Sequence, residues 1–252
     1  MSRNFELLSE AGRFHEIVQS GLDEPQVATT VASSRESFAC KPILEMDDSV
    51  KHEISKLVQT LFLSAQATRR VVLSGTEAGS GCTWMIANIA DTLASQGRGS
   101  VCVVDCNFRS PGLHLQFGAE NLQGLTAALQ EWGPVRDYTQ QLSQNLWLLS
   151  CGSASETAQT MLGSDRMRSR LEDLRSSFDY VLIDAGSMNS GNDAILLGGL
   201  CDGVVLVLKA NSSRREVARK AVQELQTANV RVLGAVLNQR TFPIPERIYK
   251  RL

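Results

Sequence analysis

Short apolar runs alternate with segments of helical periodicity along most of the chain. The runs are typical of buried strands, and the segments between them place apolar residues three or four positions apart, as in amphipathic helices. Strands that alternate with helices predict an α/β fold with a doubly wound, mainly parallel sheet, whose ligand crevice lies at the carboxyl ends of the strands. The predicted strands are 71–73, 101–104, 145–149, 180–183, 201–207 and 230–237, and the predicted helices are 47–61, 85–93, 113–117, 124–131, 161–178 and 214–228.

The first part of the chain differs from the rest. Residues 1–20 predict an amphipathic helix with Phe5, Leu8 and Phe14 on one face, and residues 21–46, rich in Ser, Thr, Ala and Glu without a period, predict a flexible linker. The helix either packs on the domain or docks a partner. Residues 47–252 are expected to form the α/β domain.

Composition narrows the classes of function. The 252 residues contain 25 basic and 27 acidic side chains, a balance that gives no global field for nucleic acid, and no nucleic-acid partner is expected. The six cysteines form no C-x-x-C pair, which favours buried, reduced thiols. No apolar run reaches the roughly 20 residues of a membrane span, so we expect no transmembrane segment and a cytoplasmic protein. Recruitment to the inner face of the membrane would need a partner.

A small, polar, glycine-containing stretch follows the first strand and precedes a helix. Such loops bind phosphate because backbone N–H groups and a helix N-terminus converge on one anion. Gly79, Gly81 and Thr83 lie where a phosphate loop needs them. Aligned with G-x-x-x-x-G-K-[ST], the window runs from Thr76 at the first glycine position through Gly81 to Thr83, with Cys82 at the lysine position, and residues 74–83 contain no lysine. The later strands 101–104 and 180–183 end in Asp105 and Asp184.

Together these blocks resemble the bacterial tyrosine kinases of capsule and exopolysaccharide biosynthesis, relatives of the septum-site and partition ATPases. The resemblance covers roughly residues 48–252 and implies a P-loop NTPase fold of the deviant-Walker ATPase type. That family pairs its phosphate loop with a strand ending in D-x-D-x-R and a later strand ending in Asp. Three positions depart from its pattern: Cys82 for lysine, Asn107 for the second aspartate, and Ser187 for a proline.

The resemblance also implies a site for ATP or ADP with Mg²⁺. The catalytic positions would be Asp105, Asn107 and Asp184, and the metal ligands would be Thr83, Asp105 and Asp184. The nucleotide contacts would come from Gly79, Ser80, Gly81, Cys82, Thr83, Arg109 and Asn238, the last at the adenine.

Two losses in one site argue against phosphoryl transfer. Cys82 supplies no positive charge, and Asn107 cannot act as a carboxylate does. The family's phosphorylated tyrosine cluster is reduced to Tyr249, and its glutamate-and-arginine motif for ring assembly is not visible in residues 52–57. A homo-oligomer remains an open alternative. Trp84, where the family usually has a small hydroxyl residue, either crowds the cradle or packs under the helix.

The leading hypothesis is therefore a regulatory pseudokinase with weak or no nucleotide binding. Its partner would be a membrane polysaccharide co-polymerase, which regulates chain length, or an active kinase paralogue. One alternative is an active ATP-dependent tyrosine kinase or ATPase in which another basic residue replaces the lysine. A second alternative is a positioning or partition-type ATPase that acts in cell envelope organisation.

Overall fold

Buried parallel strands form the centre of the fold, a seven-stranded sheet. The computed structural model describes residues 48–64, 68–153 and 156–240. Its strands are β1 (Arg70–Gly75), β2 (Val101–Asp105), β3 (Gln140–Ser143), β4 (Leu146–Leu149), β5 (Tyr180–Ser187), β6 (Gly203–Lys209) and β7 (Val232–Asn238). Its α-helices are α1 (Asp48–Phe62), α2 (Cys82–Ser95), α3 (Leu113–Phe117), α4 (Leu125–Gln130), α5 (Glu156–Thr160), α6 (Asp165–Ser177), α7 (Asp193–Gly198) and α8 (Arg215–Thr227).

The strand order is β3-β4-β2-β5-β1-β6-β7. All neighbouring strands are parallel except β3, which pairs antiparallel with β4 at one edge. β1, β2 and the first five residues of β6 are buried almost throughout, because helices cover both faces of a parallel sheet, whereas the edge strand β7 is only partly buried. The doubly wound, mainly parallel sheet predicted from the sequence is confirmed.

Two apolar layers cover the sheet, one on each face. Alternate residues of each strand point to opposite faces, so Val72 and Val104 join one layer while Val71 and Val103 join the other. The first layer contains residues of α4, α6, α7 and α8, and the second contains residues of α1, α2 and α3. α1 packs into the second layer through Ile54, Val58, Leu61 and Phe62.

Several elements differ from the sequence predictions. The helix predicted over 161–178 is two elements, a 3₁₀ turn at Met161–Gly163 and then α6, because the Ser164 hydroxyl accepts a hydrogen bond from the Met167 N–H and starts a new helix. The short elements β3, α5 and α7 were not predicted. The strand predicted over 145–149 corresponds to β4, and the one predicted over 230–237 begins later, at Val232.

Arginine and acidic residues alternate along α6, a pattern that predicts a solvated face, but for Arg170 this prediction is wrong. Arg170 is 4% exposed, and its guanidinium donates to the carbonyls of Ala128 at 2.6 Å, Gly133 at 2.7 Å and Glu131 at 2.8 Å. These carbonyls lie at and just beyond the C-terminal end of α4, where helical partners are missing. Arg170 thus serves as a buried cap for a neighbouring helix.

The helix of residues 1–20, the linker of residues 21–46 and Tyr249 lie outside the described residues. Within the described part, Cys82, Cys102, Cys106 and Cys151 are buried and form no disulfide, as predicted. In the same part, none of the helices has the length and apolar character to cross a membrane.

Candidate functional site

The loop between β1 and α2 has the backbone shape of a phosphate cradle. Gly79 and Gly81 adopt left-handed conformations, with φ of 77° and 80°, which are unfavourable for residues other than glycine. Gly81 precedes the first residue of α2, a 14-residue helix, and its carbonyl accepts the Met85 N–H at 2.9 Å. The loop therefore brings glycine amides to the positive end of a helix dipole.

The strand order brings the two predicted aspartates together. Because β5 lies between β1 and β2, its carboxyl end is adjacent both to the loop after β1 and to the end of β2. Asp105 and Asp184 are paired in the register of β2 and β5, and both are fully buried. Two carboxylates thus share one end of the sheet, at the point where the strand order reverses.

Donors from the protein surround Asp184. The Thr83 hydroxyl donates to Oδ2 at 2.6 Å, the Gly186 N–H donates to Oδ1 at 3.0 Å, and the Cys82 thiol is a third donor. Burial raises the pKa of Asp184, and these three hydrogen bonds oppose that increase. Asp184 consequently joins the start of α2 to the end of β5.

Backbone amides surround Asp105. Oδ1 accepts the Asn107 N–H at 3.1 Å, and Oδ2 accepts the N–H groups of Gly112 and Leu113, each at 3.0 Å. Burial, together with the neighbouring charge of Asp184, raises the pKa of Asp105 to about 7. The backbone donors only partly offset this effect, so near neutral pH Asp105 is close to its titration midpoint.

Cys82 occupies the lysine position of the loop pattern and is the first residue of α2. The side chain is buried, and burial followed by the charge of Asp184 raises the pKa of the thiol well above its usual range. The group is therefore a neutral thiol near pH 7, despite its place at a helix N-terminus. In the described residues, no ion pair with a lysine or arginine involves Asp105 or Asp184.

The other two residues of the D-x-D-x-R-like segment have partners near their own loop. The Asn107 amide donates to the Ser110 carbonyl at 2.8 Å, and its oxygen accepts the Ser110 N–H at 3.3 Å. Arg109 is exposed, and with the Gln159 amide oxygen oriented toward it, the guanidinium donates at 2.8 and 3.1 Å. These contacts are with α5 and the segment's own turn.

Asn238, predicted at the adenine, contacts the loop itself. Its side-chain amide donates to the Ser80 carbonyl at 2.9 Å. Next to it, Gln239 donates to the Gly79 carbonyl at 3.2 Å, a contact that sequence analysis did not anticipate. These partners are about 160 positions apart in the chain, so no local pattern could have indicated the contacts.

A second contact that the sequence did not reveal lies at the loop entrance. The Ser213 hydroxyl donates to a Glu77 carboxylate oxygen at 2.5 Å and accepts the Lys209 N–H at 2.9 Å.

Trp84 packs under the helix and does not crowd the cradle, since it is partly buried against the apolar layer that contains α1 and α2. The indole therefore packs on the core side of α2.

The donor set fits a magnesium ion better than it fits a free phosphate. Thr83, Asp105 and Asp184 supply the hard oxygen ligands that Mg²⁺ prefers, and Mg²⁺ would there neutralise phosphate charge. A Cβ added at Gly79 would meet no atom within 4 Å, so the backbone is open to a ligand there. At the lysine position of this loop the side chain is the uncharged thiol of Cys82. No cluster of three or more His, Cys, Asp or Glu residues suited to a metal occurs in the described ranges.

The glycine-rich loop after β1 and the aspartates at the ends of β2 and β5 define the class: a P-loop ATPase fold similar to the bacterial tyrosine kinases. The chain belongs to the cellulose biosynthesis protein BcsQ family, whose family model matches residues 68–230. The resemblance inferred from the sequence is confirmed.

Individual relatives agree with this assignment. Tyrosine-protein kinase YwqD of Bacillus subtilis is 28% identical over 194 residues, which cover 75% of this chain and 81% of YwqD. Succinoglycan biosynthesis transport protein ExoP of Rhizobium meliloti is 26% identical over 191 residues, 73% of this chain but only 24% of ExoP. The kinase domain of Escherichia coli tyrosine kinase ETK superposes with a TM-score of 0.70 at 20% identity, covering 83% of this chain and 86% of that domain. This last likeness concerns the fold.

Proposed function

We propose that this protein is a regulatory pseudokinase of capsule or exopolysaccharide biosynthesis, with weak or no nucleotide binding. It acts in the cytoplasm as a partner of a membrane polysaccharide co-polymerase or of an active kinase paralogue, which recruits it to the inner face of the membrane. The family description and the ExoP similarity support the pathway. The observation that carries the proposal is the neutral, buried thiol of Cys82 at the lysine position.

The charge around the phosphate loop disfavours ATP binding. ATP brings several negative charges to the cradle, and a P-loop lysine normally offsets part of them at the β- and γ-phosphates. Here the side chain at that position is uncharged, and two buried carboxylates lie at the same end of the sheet. Loss of one charge-assisted phosphate contact weakens binding or rate by about 2–4 kcal/mol, roughly 30-fold to 1000-fold.

The hydrogen bonds of the two aspartates disfavour metal binding. Asp184 accepts from Thr83, Cys82 and Gly186, and Asp105 accepts three backbone N–H groups. Each carboxylate is therefore satisfied within the protein. A metal ion would have to displace the Thr83 donor from Asp184 before it could use both oxygens, which weakens metal binding further.

Calorimetric titration with Mg·ATP tests the proposal on four proteins: the wild type, Cys82→Lys, Asn107→Asp and the double variant. We expect very weak or undetectable binding to the wild type and at least about 30-fold tighter binding to the double variant. Lysine alone should improve affinity more than rate, because it acts on ground and transition states alike. Asn107→Asp alone should loosen its turn, because Asp cannot donate to the Ser110 carbonyl.

A second assay addresses the active-enzyme alternative, which the retained Thr83, Asp105 and Asp184 favour. Radiolabelled ATP is incubated with the purified wild type and its candidate co-polymerase partner. Label on a tyrosine, steady phosphate release, or wild-type affinity equal to that of the double variant would overturn the pseudokinase assignment. Absence of binding in a folded double variant would instead show that the cradle is closed. Gene neighbourhood distinguishes the positioning-ATPase alternative.

A further inference from the structure

Two side chains at the end of β7 form hydrogen bonds with the backbone of the phosphate loop. Asn238 and Gln239, which we call the clasp, donate their side-chain amides to the carbonyls of Ser80 and Gly79, at 2.9 and 3.2 Å. Both acceptors are consecutive residues of the cradle. The clasp therefore fixes the direction of two successive peptide groups in the loop.

Two further features show that this contact is tightly built. A Cβ added at Gly81 would lie 2.3 Å from the Asn238 amide nitrogen, so the loop approaches the clasp as closely as only glycine allows. Gln239 has a φ of 56°, a left-handed conformation that is unfavourable for a residue with a long side chain. Such conformations persist where surrounding contacts over-determine them.

We propose that Asn238 and Gln239 are positioning residues that keep the loop in its anion-binding shape when no anion is bound. In a trans peptide the C=O and the following N–H point in opposite directions. With the Ser80 carbonyl held by the clasp, the Gly81 N–H faces away from it, as a cradle requires. This inference rests on the proposed function in one respect: a loop with little or no nucleotide needs another source of order.

Amide hydrogen exchange in the absence of nucleotide tests the clasp. The variant Asn238→Asp/Gln239→Glu keeps the shape of both side chains but removes both donors. The reporters are the N–H groups of Ser80 and Met85, which are hydrogen-bonded to Glu77 and Gly81. We expect their exchange to accelerate about fivefold for each hydrogen bond lost, with no comparable change in β4.

The matched control is Gln223→Glu/Gln226→Glu, which adds the same two charges on exposed positions of α8. It should leave the reporters unchanged. If the first variant does not fold, Gln239→Gly removes one donor while relieving the positive φ and should also accelerate Ser80 exchange. Gln239→Lys, which keeps an N–H donor of similar reach, should restore protection.

Reporter exchange that stays at the wild-type rate in the clasp variants, or that is equally fast in the Gln239→Glu and Gln239→Lys single variants, overturns the proposal. This result is independent of the proposed function. Tight Mg·ATP binding by the wild type would refute the pseudokinase assignment and leave the exchange comparison unaffected.

Discussion

Asp105→Asn should change how stability depends on pH. In the wild type, burial and the charge of Asp184 raise the pKa of Asp105 to about 7, above the value of about 3.9 for an unfolded aspartate. Between these two values the folded protein binds a proton that the unfolded chain does not. Stability from this group is therefore fully present below about pH 4 and is lost as pH rises toward about 7.

The magnitude follows from the separation of the two pKa values. At 1.36 kcal/mol per pKa unit, the interval from about 3.9 to about 7 corresponds to about 4 kcal/mol. Asp105 is fully buried, so solvent screening does not reduce this figure greatly. An uncharged asparagine does not titrate and gives no such loss, although its NH2 group cannot accept, so at least one of the three backbone hydrogen bonds is lost at every pH.

Urea unfolding of wild type and Asp105→Asn at several values from about pH 5 to about pH 8 provides the measurement. We expect the free energy of unfolding of the wild type, relative to the variant, to fall by about 2–3 kcal/mol across this range. Asp137→Asn, at an exposed carboxylate, controls for the change in net charge. A constant difference between wild type and Asp105→Asn would refute the argument that Asp105 is held partly protonated.

Three further predictions concern other parts of the chain. Arg170→Met should lower the free energy of unfolding by about 3–5 kcal/mol, because the carbonyls of Ala128 and Gly133 lose this donor and the Glu131 carbonyl keeps only Arg166. Arg168→Met, on the exposed face of the same helix, should change it by under about 0.5 kcal/mol in the same urea titration. Thr83→Val should destabilise by about 1–3 kcal/mol by removing a donor from Asp184, and Thr83→Ser should restore most of the loss. Removal of residues 1–20 should leave the melting temperature nearly unchanged but abolish co-purification with the partner, and a large fall in melting temperature would instead place this helix in the core.

The sequence predicted the elements that carry continuous apolar patterns. β1, β2, β5 and β6 are buried on both faces, so their residues form unbroken apolar runs that stand out from the helices. By contrast, β3 reads Gln-Gln-Leu-Ser and lies at an edge with every second residue exposed. The five residues of α5 and the six of α7 are too short for a helical period to be visible.

The site was predictable in its residue types and less so in its contacts. Strand order follows from long-range pairing, and only with β5 between β1 and β2 do Asp105 and Asp184 meet. The burial of Arg170 is likewise set by the carbonyls of a distant helix end, which a pattern of charges does not reveal. The contact of Asn238 with Ser80 joins residues 158 positions apart and has no local signal in the sequence.

The hydrogen bonds that close around Asp184 have a consequence for what this domain could report to the cell. A P-loop protein whose carboxylates become fully coordinated only when Mg·ATP binds can change conformation with the nucleotide concentration and so report that concentration to a partner. Here Thr83, Cys82 and Gly186 already provide the donors. If the domain binds little nucleotide, as proposed, its surface stays the same whether nucleotide is abundant or scarce. Control over a partner would then depend on how much of the protein is made.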